Sequence, residues 1–261
     1  MPLSTWQRLQ AVAARVRSEP VWFTTSWGST ETAPAITVPH WRLDRPGVIG
    51  LPMPGITLKF MPNAGKLEMR VKGDNIFPGY RDNDEATRQA FDEDGYYRIG
   101  DAGHLLKDND PLQGVVFNGR VAEDFKLSSG TWVSVGTLRV RVVSALAPWA
   151  QDVVITGHDR NEIGALIFLT EAARALPREQ LKGHVRDALL ALKCEGGSSS
   201  QTPTRALLLA DGPSAAAGEI TDKGYINQRL VLARRAADID TLYATPVDAR
   251  VVQAASGRAS P

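Results

Sequence analysis

The stretch Gly119-Arg120-Val121-Ala122-Glu123-Asp124-Phe125-Lys126 divides the sequence into two parts with different patterns. Before it, glycine and proline separate short apolar runs, which is typical of short strands joined by turns. After it, apolar strands alternate with stretches of helical spacing. We therefore predict two domains, with residues 119–126 as the connection between them. The alternating charges fit either a solvated hinge or a strip of surface ion pairs.

The first part, residues 1–118, predicts a small antiparallel sheet or barrel. Strands are expected at 48–51, 57–61 and 66–71, the last with clear alternation of apolar and charged residues. A short helix at 85–91 follows residues that suit a helix N-cap. No long apolar pattern marks a core, so we expect this part to be loosely ordered by itself.

The second part, residues 127–246, predicts a compact domain in which helices pack on a small sheet. The expected order is β-β-α-β-α, and the class of the whole chain is α+β. Its predicted elements are strands at 153–156, 165–169 and 206–209 and helices at 178–192 and 223–236. Residues 247–261 are expected to form a loose tail.

Composition excludes several classes of protein. The 261 residues carry 30 Lys+Arg and 29 Asp+Glu, and this balance disfavours a nucleic-acid binder. Cys194 is the only cysteine, so no intramolecular disulfide forms, and we expect a cytoplasmic protein. No apolar run approaches the ~20 residues that cross a bilayer, so we expect no membrane partner.

The N-terminal stretch has the spacing of an amphipathic helix. Its apolar face would carry Trp6, Leu9, Val12, Ala13 and Val16, with arginines around it. Such a pattern fits a transit peptide or a surface helix packed on a core. We favour the surface helix, because the apolar stretch is short and broken.

The densest polar cluster runs from Thr24 to Thr32. Hydroxyls and backbone amides beside Gly28 suit a phosphate, and Glu31 would then need a cation such as Mg²⁺ between itself and that phosphate. An ordinary polar turn explains the same residues equally well.

Three further residues are candidates for contacts with a nucleotide. Asp101 follows a glycine at a strand end, where an acid can accept hydrogen bonds from ribose hydroxyls, or can simply cap a turn. Arg120 can clamp an anion or belong to a surface ion-pair strip. Lys223 can neutralise charge on a phosphate or be an ordinary exposed lysine.

Other catalytic classes are disfavoured. The histidines, His40, His104, His158 and His184, are not at metal-ligand spacing, so a metallo-hydrolase is not expected. No Gly-x-Ser-x-Gly elbow and no Gly-x-x-x-x-Gly-Lys-Ser/Thr phosphate loop occurs.

The order of four stretches is more specific than any one of them. They are Trp27-Gly28-Ser29-Thr30-Glu31, the run from Gly65 to Gly79-Tyr80, Tyr97-Arg98-Ile99-Gly100-Asp101, and Gly119-Arg120 with Lys126 and Gly130. In this order they resemble the motifs of the adenylate-forming superfamily, which includes acyl-CoA synthetases. Residues 119–127, 130–133 and 218–229 are similar to bacterial feruloyl-CoA synthetases in particular. The resemblance implies the last part of a large adenylating domain, the hinge, and a small mobile C-terminal domain.

The resemblance also implies a reaction and its residues. Such enzymes join a carboxylic acid, here an aromatic one, to AMP from ATP with Mg²⁺, and then transfer the acyl group to CoA. The resemblance implies nucleotide binding by Trp27, Gly28, Ser29, Thr30, Asp101 and Arg120, and Mg²⁺ binding by Glu31. It implies that the hinge contains Ala122, Glu123 and Asp124, and that CoA lies near Lys126, Gly130, Thr131 and Trp132. The catalytic residues that it implies are Thr30, Glu31 and Lys223.

Two positions depart from the family pattern. Ala122 stands where the family usually has Asp or Lys at the pivot. The triplet Gly224-Tyr225-Ile226 aligns with the family's Gly-Lys-Ile, so Lys223 lies two places before the usual catalytic lysine.

The family's longer N-terminal region, with its phosphate loop and most of the acyl pocket, has no counterpart in this sequence. We therefore expect a truncated synthetase. The alternatives are one chain of a split synthetase, whose partner is the N-terminal portion as a separate chain, or a non-catalytic module that binds a nucleotide or a partner.

Overall fold

The computed structural model describes residues 1, 3–63, 65–195, 202–221 and 224–254. The chain forms two units, Met1–Ala122 and Glu123–Pro261. Their division falls inside the predicted connection 119–126, whose role as a hinge stays a prediction. No helix in the described ranges is long and apolar enough to span a membrane.

The unit Met1–Ala122 is built on one sheet. Its elements are helix α1 (Leu3–Arg17), strands β1 (Thr37–Val38), β2 (Val48–Pro52), β3 (Thr57–Asn63) and β4 (Lys66–Lys72), helix α2 (Asp84–Ala90), and strands β5 (Tyr97–Leu105) and β6 (Val115–Arg120). All strand pairs are antiparallel, in the order β1-β2-β6-β5-β4-β3. The sheet is open, so the predicted sheet is confirmed and the barrel alternative is wrong.

The first unit has a core of its own, contrary to the expectation of a loosely ordered region without one. Trp27, Ile36, Met69, Val71 and Tyr97 are buried together. These residues come from several short strands and the turn before β1. Because each stretch contributes only one or two of them, no single window of sequence reveals the core.

Helix α1 buries only part of its predicted apolar face. Trp6 is buried against Leu43, and its ring lies 5.6 Å from that of Phe23. Val12 and Val16 are exposed, although they belong to the apolar face in the sequence pattern. The helix therefore packs on the unit near its N-terminal turns.

The unit Glu123–Pro261 is an α+β domain. Its elements are strands β7 (Phe125–Lys126) and β8 (Trp132–Val133), helix α3 (Val135–Ala145), strands β9 (Ala150–Thr156) and β10 (Gly164–Leu169), helices α4 (Glu171–Arg174) and α5 (Arg178–Cys194), strand β11 (Arg205–Leu209), helices α6 (Gln228–Arg234) and α7 (Ala236–Leu242), and strand β12 (Val251–Gln253). The main sheet has the order β12-β11-β10-β9, with β10 and β11 parallel. The predicted α+β class is confirmed.

The second unit differs from the prediction in three places. Helix α3 was not predicted. The single helix expected at 223–236 is two short helices, α6 and α7. The predicted loose tail, 247–261, is wrong for its described part, because β12 pairs with β11 and Val252 is buried. Residues 255–261 lie outside the described residues.

Candidate functional site

Asp101 is the centre of a polar cluster in the first unit. The Trp27 indole Nε1 donates a hydrogen bond of 2.8 Å to Asp101 Oδ2. The Arg120 Nε lies 3.4 Å from Asp101 Oδ1. Three residues that the sequence assigns to one nucleotide site are therefore in contact, although they are distant along the chain.

Strand pairing explains this convergence. Asp101 on β5 and Arg120 on β6 are directly opposite each other in the antiparallel register. Residues opposite each other in this way bring their side chains within contact distance. Trp27 is placed by a bridge to Thr37, in which the Trp27 amide donates to the Thr37 carbonyl at 3.2 Å.

Asp101 has an unused hydrogen-bond acceptor. The residue is only 7% exposed, and Oδ1 accepts no hydrogen bond within the described part of the chain. Burial raises the pKa of Asp101, while the Trp27 hydrogen bond and the Arg120 charge act in the opposite direction. An acceptor in this state gains from hydrogen bonds donated by a ligand, because a buried polar atom without a partner is costly. The Arg120 side chain, which is 62% exposed, can move aside for such a ligand.

The turn from Gly28 to Thr32 is held by its own hydrogen bonds. Thr32 Oγ1 accepts from the Ser29 amide at 2.8 Å, and Asn75 Nδ2 donates to the Thr32 carbonyl at 2.6 Å. A Cβ at Gly28 would lie 2.0 Å from the Pro34 carbonyl oxygen, so only glycine fits this position. The exposed Thr30 begins the short 3₁₀ turn Thr30–Thr32.

Glu31 carries an ionised carboxylate at this turn. The neighbouring Ser29 side chain, then the Glu31 backbone amide and Tyr80, lower the pKa of Glu31, while burial acts in the opposite direction. The Tyr80 hydroxyl donates to Glu31 Oε1 at 3.2 Å. Tyr80 has no role among the sequence-based predictions, although the Gly79-Tyr80 pair within the second motif is a signal that could have identified it.

The chemistry of Glu31 fits Mg²⁺ held together with phosphates. In the described residues no group of three or more His, Cys, Asp or Glu side chains could hold a metal ion. Mg²⁺ is commonly bound by one or two carboxylates, with substrate phosphates and water as its other ligands. If a ligand supplies phosphates at this turn, a single ionised carboxylate is sufficient on the protein side.

The predicted CoA-proximal residues form a hairpin in the second unit. Lys126 on β7 faces Trp132 on β8, and the Lys126 Nζ lies 4.9 Å from the centre of the Trp132 ring. Gly130 and Thr131 are exposed in the turn, where the Leu127 amide donates to the Thr131 carbonyl at 3.0 Å. The hairpin presents a cation and an indole face at the surface of this unit.

The predicted hinge residues lie on both sides of the division between the units. Ala122 is exposed in the 3₁₀ turn Val121–Glu123. Asp124 Oδ1 accepts a hydrogen bond of 3.0 Å from the Val135 amide, the first residue of α3. Asp124 thus binds the N-terminus of a helix in its own unit. Lys223 lies outside the described residues.

Comparison with known proteins shows what the chain is similar to. Residues 126–246 match the family described as "AMP-binding enzyme C-terminal domain". The chain is 27% identical over 237 residues to a chloroplastic long-chain-fatty-acid–acyl-carrier-protein ligase of Arabidopsis thaliana, covering 83% of the chain and 32% of that protein. It is 27% identical over 214 residues to a malonate–CoA ligase of the same organism, covering 76% of the chain and 33% of the relative.

A solved structure shares the fold. The adenylation and carrier-protein didomain of carboxylic acid reductase from Segniliparus rugosus, in complex with AMP, superposes with a TM-score of 0.68 at 23% identity. This superposition covers 91% of the chain and 33% of that structure. The chain thus spans about a third of the relatives named here. Residues 126–246 thus resemble the C-terminal domain of AMP-binding enzymes, and the chain is similar to part of an acyl-carrier-protein ligase and part of a CoA ligase.

Proposed function

We propose that this chain acts in an ATP-dependent acid–thiol ligase, which forms an acyl-adenylate from a carboxylic acid and ATP and then transfers the acyl group to CoA. The observation that supports it best is the buried Oδ1 of Asp101, which accepts no hydrogen bond from the described residues and lies 3.4 Å from the Arg120 Nε, while Trp27 holds the other oxygen. Relatives of the chain are named as ligases of this type.

Each residue of the cluster has a defined role in this proposal. Asp101 accepts hydrogen bonds from the ribose hydroxyls, while Trp27 holds its other oxygen in place. Arg120 provides positive charge and a planar donor group at the same site. Thr30 binds the α-phosphate of the nucleotide, and Glu31 would hold Mg²⁺, which would supply positive charge beside the phosphates. These residues hold the reactants in position and stabilise the charge on the phosphates. The AMP group that is transferred to the carboxylic acid comes from ATP.

The second half-reaction is assigned to the hairpin of the second unit. Lys126 and Trp132 present a cation and an aromatic face, which suit the phosphates and the adenine of CoA. Gly130 and Thr131 leave room for the pantetheine arm at the turn. Ala122, Glu123 and Asp124 form the connection about which this unit rotates between the half-reactions, and Lys223 contributes its charge to adenylation.

A hydroxycinnamic acid such as ferulic acid is the acyl substrate we propose. This finer assignment rests on the resemblance of residues 119–127, 130–133 and 218–229 to bacterial feruloyl-CoA synthetases. The relatives named above are a fatty-acid ligase and a malonate ligase, so they supply no independent support for it.

Pyrophosphate release tests the adenylation step. The purified chain is mixed with ATP, Mg²⁺, CoA and a panel of hydroxycinnamates, fatty acids and malonate, and AMP binding is measured in parallel. We expect AMP binding by the chain alone and ferulate-dependent release once the N-terminal portion of a related ligase is added as a second chain, both weakened in Glu31→Ala and unchanged in the exposed control Glu93→Ala. AMP binding without release in the presence of that second chain would favour the non-catalytic module. A chain that does not bind AMP would contradict the proposal.

A further inference from the structure

A cavity of about 200 Å³ that is partly open to solvent lies within the second unit, and apart from Phe125 in the predicted connection its lining residues have no role in the proposed ligase. Its apolar walls include Phe125 on β7, Ile155 on β9, Leu232 on α6 and Ile239 on α7. An apolar cavity of roughly 150 Å³ binds benzene in a well-studied protein. The volume here is therefore sufficient for one aromatic ring with a small substituent.

The cavity also has a cationic side chain with unused donors. Arg160 lines it and is 47% exposed. The Asp240 Oδ1 lies 3.8 Å from the Arg160 Nη2, which is beyond hydrogen-bond distance. Within the described ranges the Arg160 guanidinium makes no hydrogen bond, so its N–H groups can receive an anion in place of this weak pairing. His158, at 70% exposure, lines the cavity as well and pairs with Asp159 at 3.0 Å.

Tyr243 gives the cavity a fixed aromatic wall. Its hydroxyl lies 3.0 Å from Thr156 Oγ1 and donates to the Glu162 carbonyl at 3.2 Å. The Arg160 guanidinium lies 5.0 Å from the centre of the ring and that of Arg205 lies 5.3 Å from it. Because the hydroxyl is already bonded, a ligand meets the ring of Tyr243 and the donors of Arg160.

We propose that this cavity binds a small aromatic carboxylate, with its ring between Phe125, Leu232 and Ile239 and its carboxylate on Arg160. Guanidinium and carboxylate form two parallel hydrogen bonds, and this geometry favours a planar anion over other charged groups. Aromatic rings pack well edge-to-face against Phe125 and Tyr243. All lining residues belong to the second unit, so the site does not depend on the proposed nucleotide site around Asp101.

Phe125 places this site next to the predicted hinge residues. Phe125 directly follows the predicted hinge residues Ala122–Asp124 and is only 6% exposed. A bound ring would contact the residue next to the hinge. We therefore regard the cavity as a second small-molecule site, separate from the acyl substrate of the ligase.

Titration of the full chain with benzoate, followed by NMR, tests the proposal. We expect saturable chemical-shift changes at Phe125 and Tyr243, and binding weaker by about tenfold or more in Arg160→Gln, because the variant loses the charged hydrogen-bond donors that face the carboxylate. The exposed control Arg186→Gln should bind benzoate as the wild type does. Leu232→Trp, or Ile239→Phe if the first variant does not fold, should abolish binding by filling the space.

Toluene separates the contribution of the ring from that of the charge. It should bind at least tenfold more weakly than benzoate in the wild type, and equally in the wild type and Arg160→Gln. Benzoate that binds Arg160→Gln as tightly as the wild type would overturn the proposal. A wild-type chain that shows no saturable benzoate binding in the millimolar range would overturn it too. AMP binding, measured on the same samples, reports independently on the Asp101 site.

Discussion

At the scale of single residues, Asp101 combines a cost to the stability of the folded protein with its proposed role in binding the nucleotide. Its carboxylate is buried, with one oxygen bonded to Trp27 and the other without a hydrogen bond in the described part of the chain. Burial raises its pKa, so ionisation costs free energy in the folded state. The contribution of Asp101 to stability is greatest below its unfolded pKa of about 3.9 and is lost as the pH rises through the higher folded pKa.

Asp101→Asn should therefore separate stability from binding. At pH 7 we expect a melting temperature equal to or above that of the wild type, with the difference vanishing near pH 3. AMP binding should weaken by about tenfold, because the amide is a weaker acceptor than a charged carboxylate. Thermal unfolding across pH and AMP titration measure the two effects. A variant that is less stable at pH 7 and binds AMP normally would contradict this account.

Gly28 illustrates a steric requirement. In Gly28→Ala the new Cβ would lie 2.0 Å from the Pro34 carbonyl oxygen, and we expect a loss of about 1–3 kcal/mol or more in the free energy of unfolding. Gly183 on α5 is the matched control, because a Cβ there meets nothing within 4 Å. Gly183→Ala should stabilise by about 0.5–1 kcal/mol through helix propensity. Urea unfolding measures both variants, and equal effects would refute the steric argument.

Residues close in sequence were easier to assign than residues joined by the fold. The turn Gly28–Thr32 is local, so its hydroxyls and Glu31 could be grouped from the sequence. The contact between the Tyr80 hydroxyl and Glu31 depends on where the chain returns after β4, and no spacing rule contains that information. The Trp27–Asp101 bond was similarly not predicted, although both residues were assigned to the same site.

At the scale of elements, hydrophobic periodicity predicted strongly patterned segments and missed weak ones. Alternation in β4 and the helical spacing in α5 were clear, and both elements form. Helix α3 is rich in β-branched valines, which have low helix propensity, so its buried positions Val135, Leu138 and Val142 did not stand out. The segment expected as one helix at 223–236 begins five residues later, where Asn227 accepts a hydrogen bond from the Leu230 amide.

A buried ion pair joins α6 to the segment before it. Glu219 is 1% exposed, and Arg235 donates to its two carboxylate oxygens at 2.9 and 3.1 Å. The Ser214 amide donates to the same carboxylate at 2.8 Å. Hydrogen bonding from Arg235 lowers the pKa of Glu219, despite the opposing effect of burial.

Removing this carboxylate should be costly. We expect Glu219→Gln to lower the free energy of unfolding by about 3–5 kcal/mol at pH 7, because Arg235 is left without its buried partner. A lowered pKa means that the stabilisation is present above the unfolded pKa of about 4.3 and is lost as the pH falls through the folded value. The difference in the free energy of unfolding between Glu219→Gln and the wild type should therefore become smaller at acidic pH. The exposed control Glu179→Gln should leave the unfolding midpoint unchanged, and equal losses in the two variants would contradict the argument.

At the scale of the whole molecule, each unit has its own hydrophobic core. The core around Met69 and Tyr97 belongs to the first unit, and the core around Ile155 and Leu189 belongs to the second. A unit with its own core can in principle fold alone. The sequence pattern predicted the position of the connection and the α+β class, but placed the end of the second domain too early, because β12 is only three residues long.

The boundary of the second unit can be tested with two fragments, residues 120–261 and residues 120–245. The longer one keeps β12, in which Val252 is 1% exposed and pairs with Ala206 of β11. The shorter one removes this buried valine and leaves β11 as an open strand edge. Since burying a valine contributes about 1.5–3 kcal/mol, we expect the shorter fragment to be less stable by at least about 2 kcal/mol.

We also expect 120–261 to unfold in one cooperative transition by circular dichroism, with slow hydrogen exchange in β11. Equal stability of the two fragments would show that 247–261 is a dispensable tail after all, and a longer fragment that does not fold would show that the second unit needs the first.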